Sequence, residues 1–79
     1  MSNSNPQVML LASAMLCELA REGKTAGEIY AVMMAEGMSL ETFERIKGML
    51  IVVDALREKE NGVLICTKQG DNIISAALR

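Results

Sequence analysis

Seventy-nine residues allow one small domain, and eight Lys and Arg against ten Asp and Glu leave it with a formal charge of −2. That balance argues against strong non-specific nucleic-acid binding, which draws on clustered cations, though it leaves room for a local basic patch. The chain has no His and only two Cys, so it lacks the commonest general base and cannot close a structural zinc site.

No apolar run approaches the roughly 18 residues of a membrane span. The apolar stretch Val8 to Leu16 passes directly into Glu18, Arg21 and Glu22 without a basic leader, so it reads as a soluble amphipathic helix and the expected location is cytoplasmic. Cys17 and Cys66 are too far apart for a CxxC pair and read as small core hydrophobes of a reduced protein. Hydrophobic residues make up 51% of the chain, and the only aromatics are Tyr30 and Phe43. The core is therefore aliphatic, and an excess of apolar surface is expected to face a second chain, most simply a homodimer partner.

In chain order, residues 1–5 read as a disordered N-terminus and 6–79 as a single domain. Asn5 caps and Pro6 opens a first helix over about 6–22, with Val8, Leu11, Ala12, Met15, Leu16 and Leu19 as one stripe and Gly23 as its stop. Thr25 and Glu28 have capping-box spacing and start a second helix. Its face is Ile29, Val32 and Met33, with Tyr30 and Met34 as a second apolar strip. Gly37 ends it in a left-handed residue, and Ser39 caps the third helix, giving a helix–turn–helix-like pair.

The third helix carries Leu40, Phe43, Ile46, Leu50 and Val53 at helical spacing, then Met49, Ile51 and Val52 between them. Beyond Val53 two readings compete. The helix continues through Lys59 to a stop at Asn61-Gly62, or it ends near Asp54 and residues 55–60 form a strand with Asn61-Gly62 as a two-residue turn. Val63 to Thr67 is a strand in both, and a lone strand would leave its backbone groups unpaired, which favours the hairpin. Gly70 then breaks the chain, Asp71 caps, and Ile73, Ile74, Ala77 and Leu78 form a last short helix to Arg79.

This order, with Leu19 to Ile29 as one helix end and the next helix start, and with Ala55 to Gly70 as a wing closed by Thr67-Lys68-Gln69-Gly70, resembles bacterial winged helix-turn-helix domains. Cys66 stands where such domains more often carry Leu. The resemblance implies a fold that is mainly α with a small β-hairpin: a three-helix core, a minimal wing and a short C-terminal helix. It implies a DNA-binding transcriptional regulator, with the third helix in the major groove and the wing along the backbone.

On the helix face opposite the core stripe lie Glu41, Arg45, Gly48 and Val52, flanked by Glu44 and Met49. Arg45 suits a guanine edge, Thr42 a thymine methyl, and Lys24, Lys47, Arg57, Lys59 and Lys68 the phosphates. The two carboxylates oppose that role, and Met49 and Val52 have no partner in a groove. The alternative is a winged-helix-like protein–protein interaction module whose strip of Tyr30, Met34, Met49 and Val52 meets another protein or a second copy. Ser13, Ser39 and Ser75 lack a His or Lys motif, and there is no Gly-rich phosphate loop, so no enzyme and no cofactor are expected.

Overall fold

The computed structural model describes residues 6–78. Its elements are α1 (Pro6–Ala20), α2 (Ala26–Ala35), α3 (Leu40–Val52), β1 (Leu56–Glu58), β2 (Leu64–Cys66) and α4 (Lys68–Ala77). The chain is thus mainly α with one small antiparallel hairpin. Asn5, the expected first cap, and Arg79 lie outside the described residues, as does the expected disorder of residues 1–5.

Each helix after the first starts on a hydroxyl. Thr25 accepts from the Glu28 amide at 3.2 Å while the Glu28 carboxylate takes the Thr25 amide at 2.9 Å, completing the capping box. Ser39 accepts from the Thr42 amide at 3.2 Å at the start of α3. Helix ends are satisfied as consistently. Gly37, at φ 99°, lets the Met38 amide reach back to the Met33 carbonyl and closes α2. At the end of α3 Asp54 occupies the same left-handed position, at φ 63°, and the Ala55 amide reaches the Leu50 carbonyl at 2.8 Å. Aspartate tolerates that conformation better than most side chains, and here it turns the chain into β1. Helix α1 ends two residues short of the expected 22. Its last turn tightens, with Glu22 and Gly23 donating to the carbonyls three residues back.

The hairpin reading of residues 55–60 holds, but the turn differs from expectation. Register pairs Leu56 with Cys66, Arg57 with Ile65 and Glu58 with Leu64. Lys59 and Val63 are joined by the Lys59 amide, Gly62 donates to the Lys59 carbonyl at 2.9 Å, and Gly62 has φ 83°. The loop is therefore three residues, Glu60-Asn61-Gly62, with glycine in the left-handed place, and not a two-residue Asn-Gly turn. The Asn61 side chain accepts from the Val63 amide, which fixes this wider loop. The hairpin also docks on the α1–α2 linker. Thr25 bridges Val63, the Leu64 amide donates to the Lys24 carbonyl at 2.8 Å, and the Ala26 amide donates to the Gly62 carbonyl at 3.2 Å.

The final helix begins earlier than the Gly70 and Asp71 signals suggest. Thr67 is the cap, accepting from the Gly70 amide, and its own hydroxyl donates to the Asp54 carbonyl. Gly70 is not a break: it is buried in the first turn of α4. A Cβ there would stand 2.5 Å from the Ala55 carbonyl oxygen, 2.6 Å from Cys66 Sγ and 3.4 Å from Cys17 Sγ. Glycine is needed for close approach, and it lets α4 lie against both α1 and the start of the hairpin.

The core runs through all elements: Leu16, Cys17 and Ala20 of α1, Ile29 and Met33 of α2, Phe43, Ile46 and Leu50 of α3, Leu56 and Leu64 of the hairpin, and Ile74 of α4. This corrects the expected stripe of α1. Ser13, Ala14, Leu16, Cys17 and Ala20 face inward, while Val8 and Leu11 are exposed. Small side chains on that face admit α4 at close range. Val32, Leu40 and Val53, expected on buried faces, are also exposed, because they lie at the edges of their helical stripes.

Candidate nucleic-acid interface

The residues expected to meet DNA come from four places: the α1–α2 linker, α3, the hairpin and the start of α4. On α3, Arg45 is exposed and its guanidinium stands 3.5 Å from Glu41, one turn back on the same helix. Both side chains are largely in solvent, so this ion pair holds Arg45 weakly and exchanges readily. Gly48, next along the same face, has nothing within 4 Å of where a Cβ would be, so the centre of the outward face is bare backbone. Val52 completes it at 85% exposure.

Two other α3 candidates are placed less well. Thr42 is half-buried, accepts from the Ser39 hydroxyl at 3.0 Å and lines a groove against α1, so it does not share the outward face with Arg45. Lys47 has a side chain only 16% exposed, and its ammonium lies 3.4 Å from Glu44. Its stem packs along the protein while its charge is spent on a neighbour.

The remaining cations divide into paired and free. Lys24 holds Glu22 at 2.7 Å, an interaction that keeps the Glu22 carboxyl below its ordinary pKa and the Lys24 ammonium above its own. Arg57 holds Asp54 at 3.2 Å. Lys59, beside the hairpin loop, and Lys68, the first residue of α4, have no ion pair among the described residues. Lys68 is notable because a cation at a helix N-terminus faces the positive end of the helix dipole. It weakens the helix slightly, so its presence is not explained by stability.

The expected protein-binding strip is only partly assembled. Tyr30 is half-buried with its ring 5.1 Å from Phe43 and tilted 52°, which makes it an extension of the core. Met34 on α2 and Met49 and Val52 on α3 are exposed. The apolar surface missed by the sequence reading lies on α1, where Val8 and Leu11 stand out between two grooves. Its signal was available: at 100° per residue, Val8, Leu11 and Met15 lie opposite the small-residue face of Ser13, Cys17 and Ala20.

The structure also brings Cys17 and Cys66 together over Gly70. Burial, and then the neighbouring Cys66, push the Cys17 thiol up to about 12, and burial raises Cys66 as well. Both are protonated and unreactive at neutral pH, as packing groups are. Among the described residues no group of three or more His, Cys, Asp or Glu is placed to hold a metal ion, and no helix is long and apolar enough to cross a membrane.

No family model, curated protein or solved structure matches the chain.

Proposed function

We propose that the chain is a small winged-helix DNA-binding regulator that acts as a dimer, with α3 set into the major groove and the hairpin along the flanking backbone. The observation that carries this reading is topological. A capped helix follows a helix and a glycine-ended turn, and a hairpin is hydrogen-bonded to the linker before that pair, so both are held at fixed positions on one core. The bare Gly48 surface permits close approach of α3 to a groove wall. Arg45 exchanges Glu41 for a guanine edge, and Lys59, Lys68 and Arg57 take phosphates. Thr42, Lys47 and Lys24 have no direct role in this arrangement. Because Glu41 and Glu44 sit beside the cations, binding by a single copy is weak, and a second half-site supplies the rest.

The test is a selection for bound duplexes followed by gel shifts of variants. Arg45→Ala is expected to relax the preference at one base pair, and Lys59→Ala to weaken all sequences alike. Absence of any retarded duplex at low salt would sink the proposal.

A second reading has its own observation. Met49 at 46% and Val52 at 85% exposure, beside carboxylates, suit a protein partner better than a groove. Under that reading, Val52→Glu abolishes capture of the partner while Arg45→Ala leaves it intact.

A further inference from the structure

We infer that Cys17 and Cys66 form a latent dithiol beneath the first turn of α4, which a small disulfide such as oxidised glutathione converts into an intramolecular crosslink between α1 and β2. The inference goes beyond the DNA reading and does not rest on it. It gives a covalent role to a pair of nucleophilic side chains that the proposed function leaves unused.

The two thiols lie far apart along the chain, and the fold closes that distance. Both sulfurs stand within 3.4 Å of the point that a Gly70 Cβ would occupy. The residue lying against both is a glycine, so it puts no side chain between them. Cys17 is fully buried and Cys66 half-buried, and Cys66 acts on Cys17 both by charge and as a hydrogen-bond partner. Two cysteines serving only as small apolar fillers have no need to meet. A dithiol does, because a disulfide requires two sulfurs on close, facing segments.

An ion pair holds α4 over the thiols. The Arg21 guanidinium, one turn beyond Cys17, meets the Asp71 carboxylate of α4 at 3.0 Å, and the same Asp71 oxygen stands 3.5 Å from Cys66 Sγ. With α4 docked, burial keeps Cys17 protonated, and burial and then Asp71 keep Cys66 so. Reaction is therefore confined to molecules in which the first turn of α4 has lifted. The half-buried Cys66 is then the first nucleophile. Its thiolate attacks one sulfur of oxidised glutathione and expels one glutathione thiolate, leaving a mixed disulfide. The Cys17 thiolate next attacks the Cys66 sulfur, forms the Cys17–Cys66 bond and expels the second glutathione thiolate. The two thiol protons pass through water to the two expelled thiolates. The chain is oxidised by two electrons, and the glutathione disulfide is reduced to two thiols. The product staples α1 to the strand that leads into α4.

Intact mass, and thiol alkylation in denaturant, of the full chain after exposure to oxidised glutathione test this. The wild type is expected to lose about 2 Da with no glutathione retained, and both cysteines are expected to become resistant to alkylation together. A peptide map should join the Cys17 peptide to the Cys66 peptide. The crosslinked chain is expected to melt several degrees higher, reversibly on reduction, because the bond restricts the unfolded chain. Asp71→Asn, at an exposed position, removes the charge that holds Arg21 and is expected to speed crosslinking about fivefold or more. Cys66→Ser is expected to leave Cys17 fully alkylatable. A stable mixed disulfide at Cys66 with Cys17 still free overturns the inference, as does a wild type whose two thiols both survive the oxidant. An unchanged rate in Asp71→Asn overturns the gate, and a lower melting point of the crosslinked chain overturns the staple.

Discussion

At the scale of single residues, the positions that matter most are those where a small or unusual side chain permits close approach. Gly70 is the strongest case. Its missing Cβ is replaced in space by a carbonyl oxygen of another segment, and a backbone atom cannot swing aside. Gly70→Ala is therefore expected to cost about 1–3 kcal/mol, the range of overpacking in a tight site, read as a lower urea midpoint with unchanged slope. Sequence reading assigned Gly70 to chain breaking because glycine more often serves turns, and nothing local distinguishes the two uses. The same blindness applies to Cys17 and Cys66. Their distance along the chain gives no hint that α4 brings them together, whereas their reading as core hydrophobes describes their surroundings well.

At the scale of elements, local chemistry was legible wherever it was self-contained. The capping box of Thr25 and Glu28, the Ser39 cap and the left-handed Gly37 each depend on residues within a few positions, and all three stand where the spacing placed them. The capping box also carries a pH dependence. The Thr25 backbone amide, then its hydroxyl, hold the Glu28 carboxyl below its ordinary value. A carboxyl lowered by folding adds stability above its unfolded pKa, about 4.3, and that contribution is lost as pH falls through the lower folded value. Glu28→Gln should accordingly flatten part of the acid limb of the stability curve below about pH 4.3 while leaving its neutral and alkaline parts parallel to wild type. Thermal melts across that range check it. Less legible was which face of α1 is inner, because an aliphatic stripe and a small-residue stripe compete on one helix. The tertiary partner, α4, decides between them.

At the scale of the whole molecule, helical content, three-helix order and a hairpin followed by a closing helix were legible from pattern alone, and the structure has them. The working surface was less so. Surface cations look alike in a sequence, and only the fold shows that Lys24, Lys47 and Arg57 have carboxylate partners while Lys59 and Lys68 have none among the described residues. That division sets a quantitative expectation for DNA. With Arg45, Arg57, Lys59 and Lys68 as the phosphate or base contacts of each copy, the slope of log affinity against log salt should be about −4 or shallower per copy, and no steeper than about −7 for a dimer. Fluorescence anisotropy of a labelled duplex over a salt series measures it. A slope near −10 would require about eleven neutralised phosphates, and so cations beyond these four in each copy.

The hairpin's attachment to the α1–α2 linker has a consequence for the order in which the chain assembles and opens. The bonds between Leu64 and Lys24 and between Ala26 and Gly62 join segments nearly forty residues apart, so they form only after α2 and α3 have brought the loop ends together. In the native state the same two bonds act as one latch. Hydrogen exchange at the amides of Ala26 and Leu64 should therefore report a single opening event with matching protection, distinct from the fraying of the hairpin loop around Asn61.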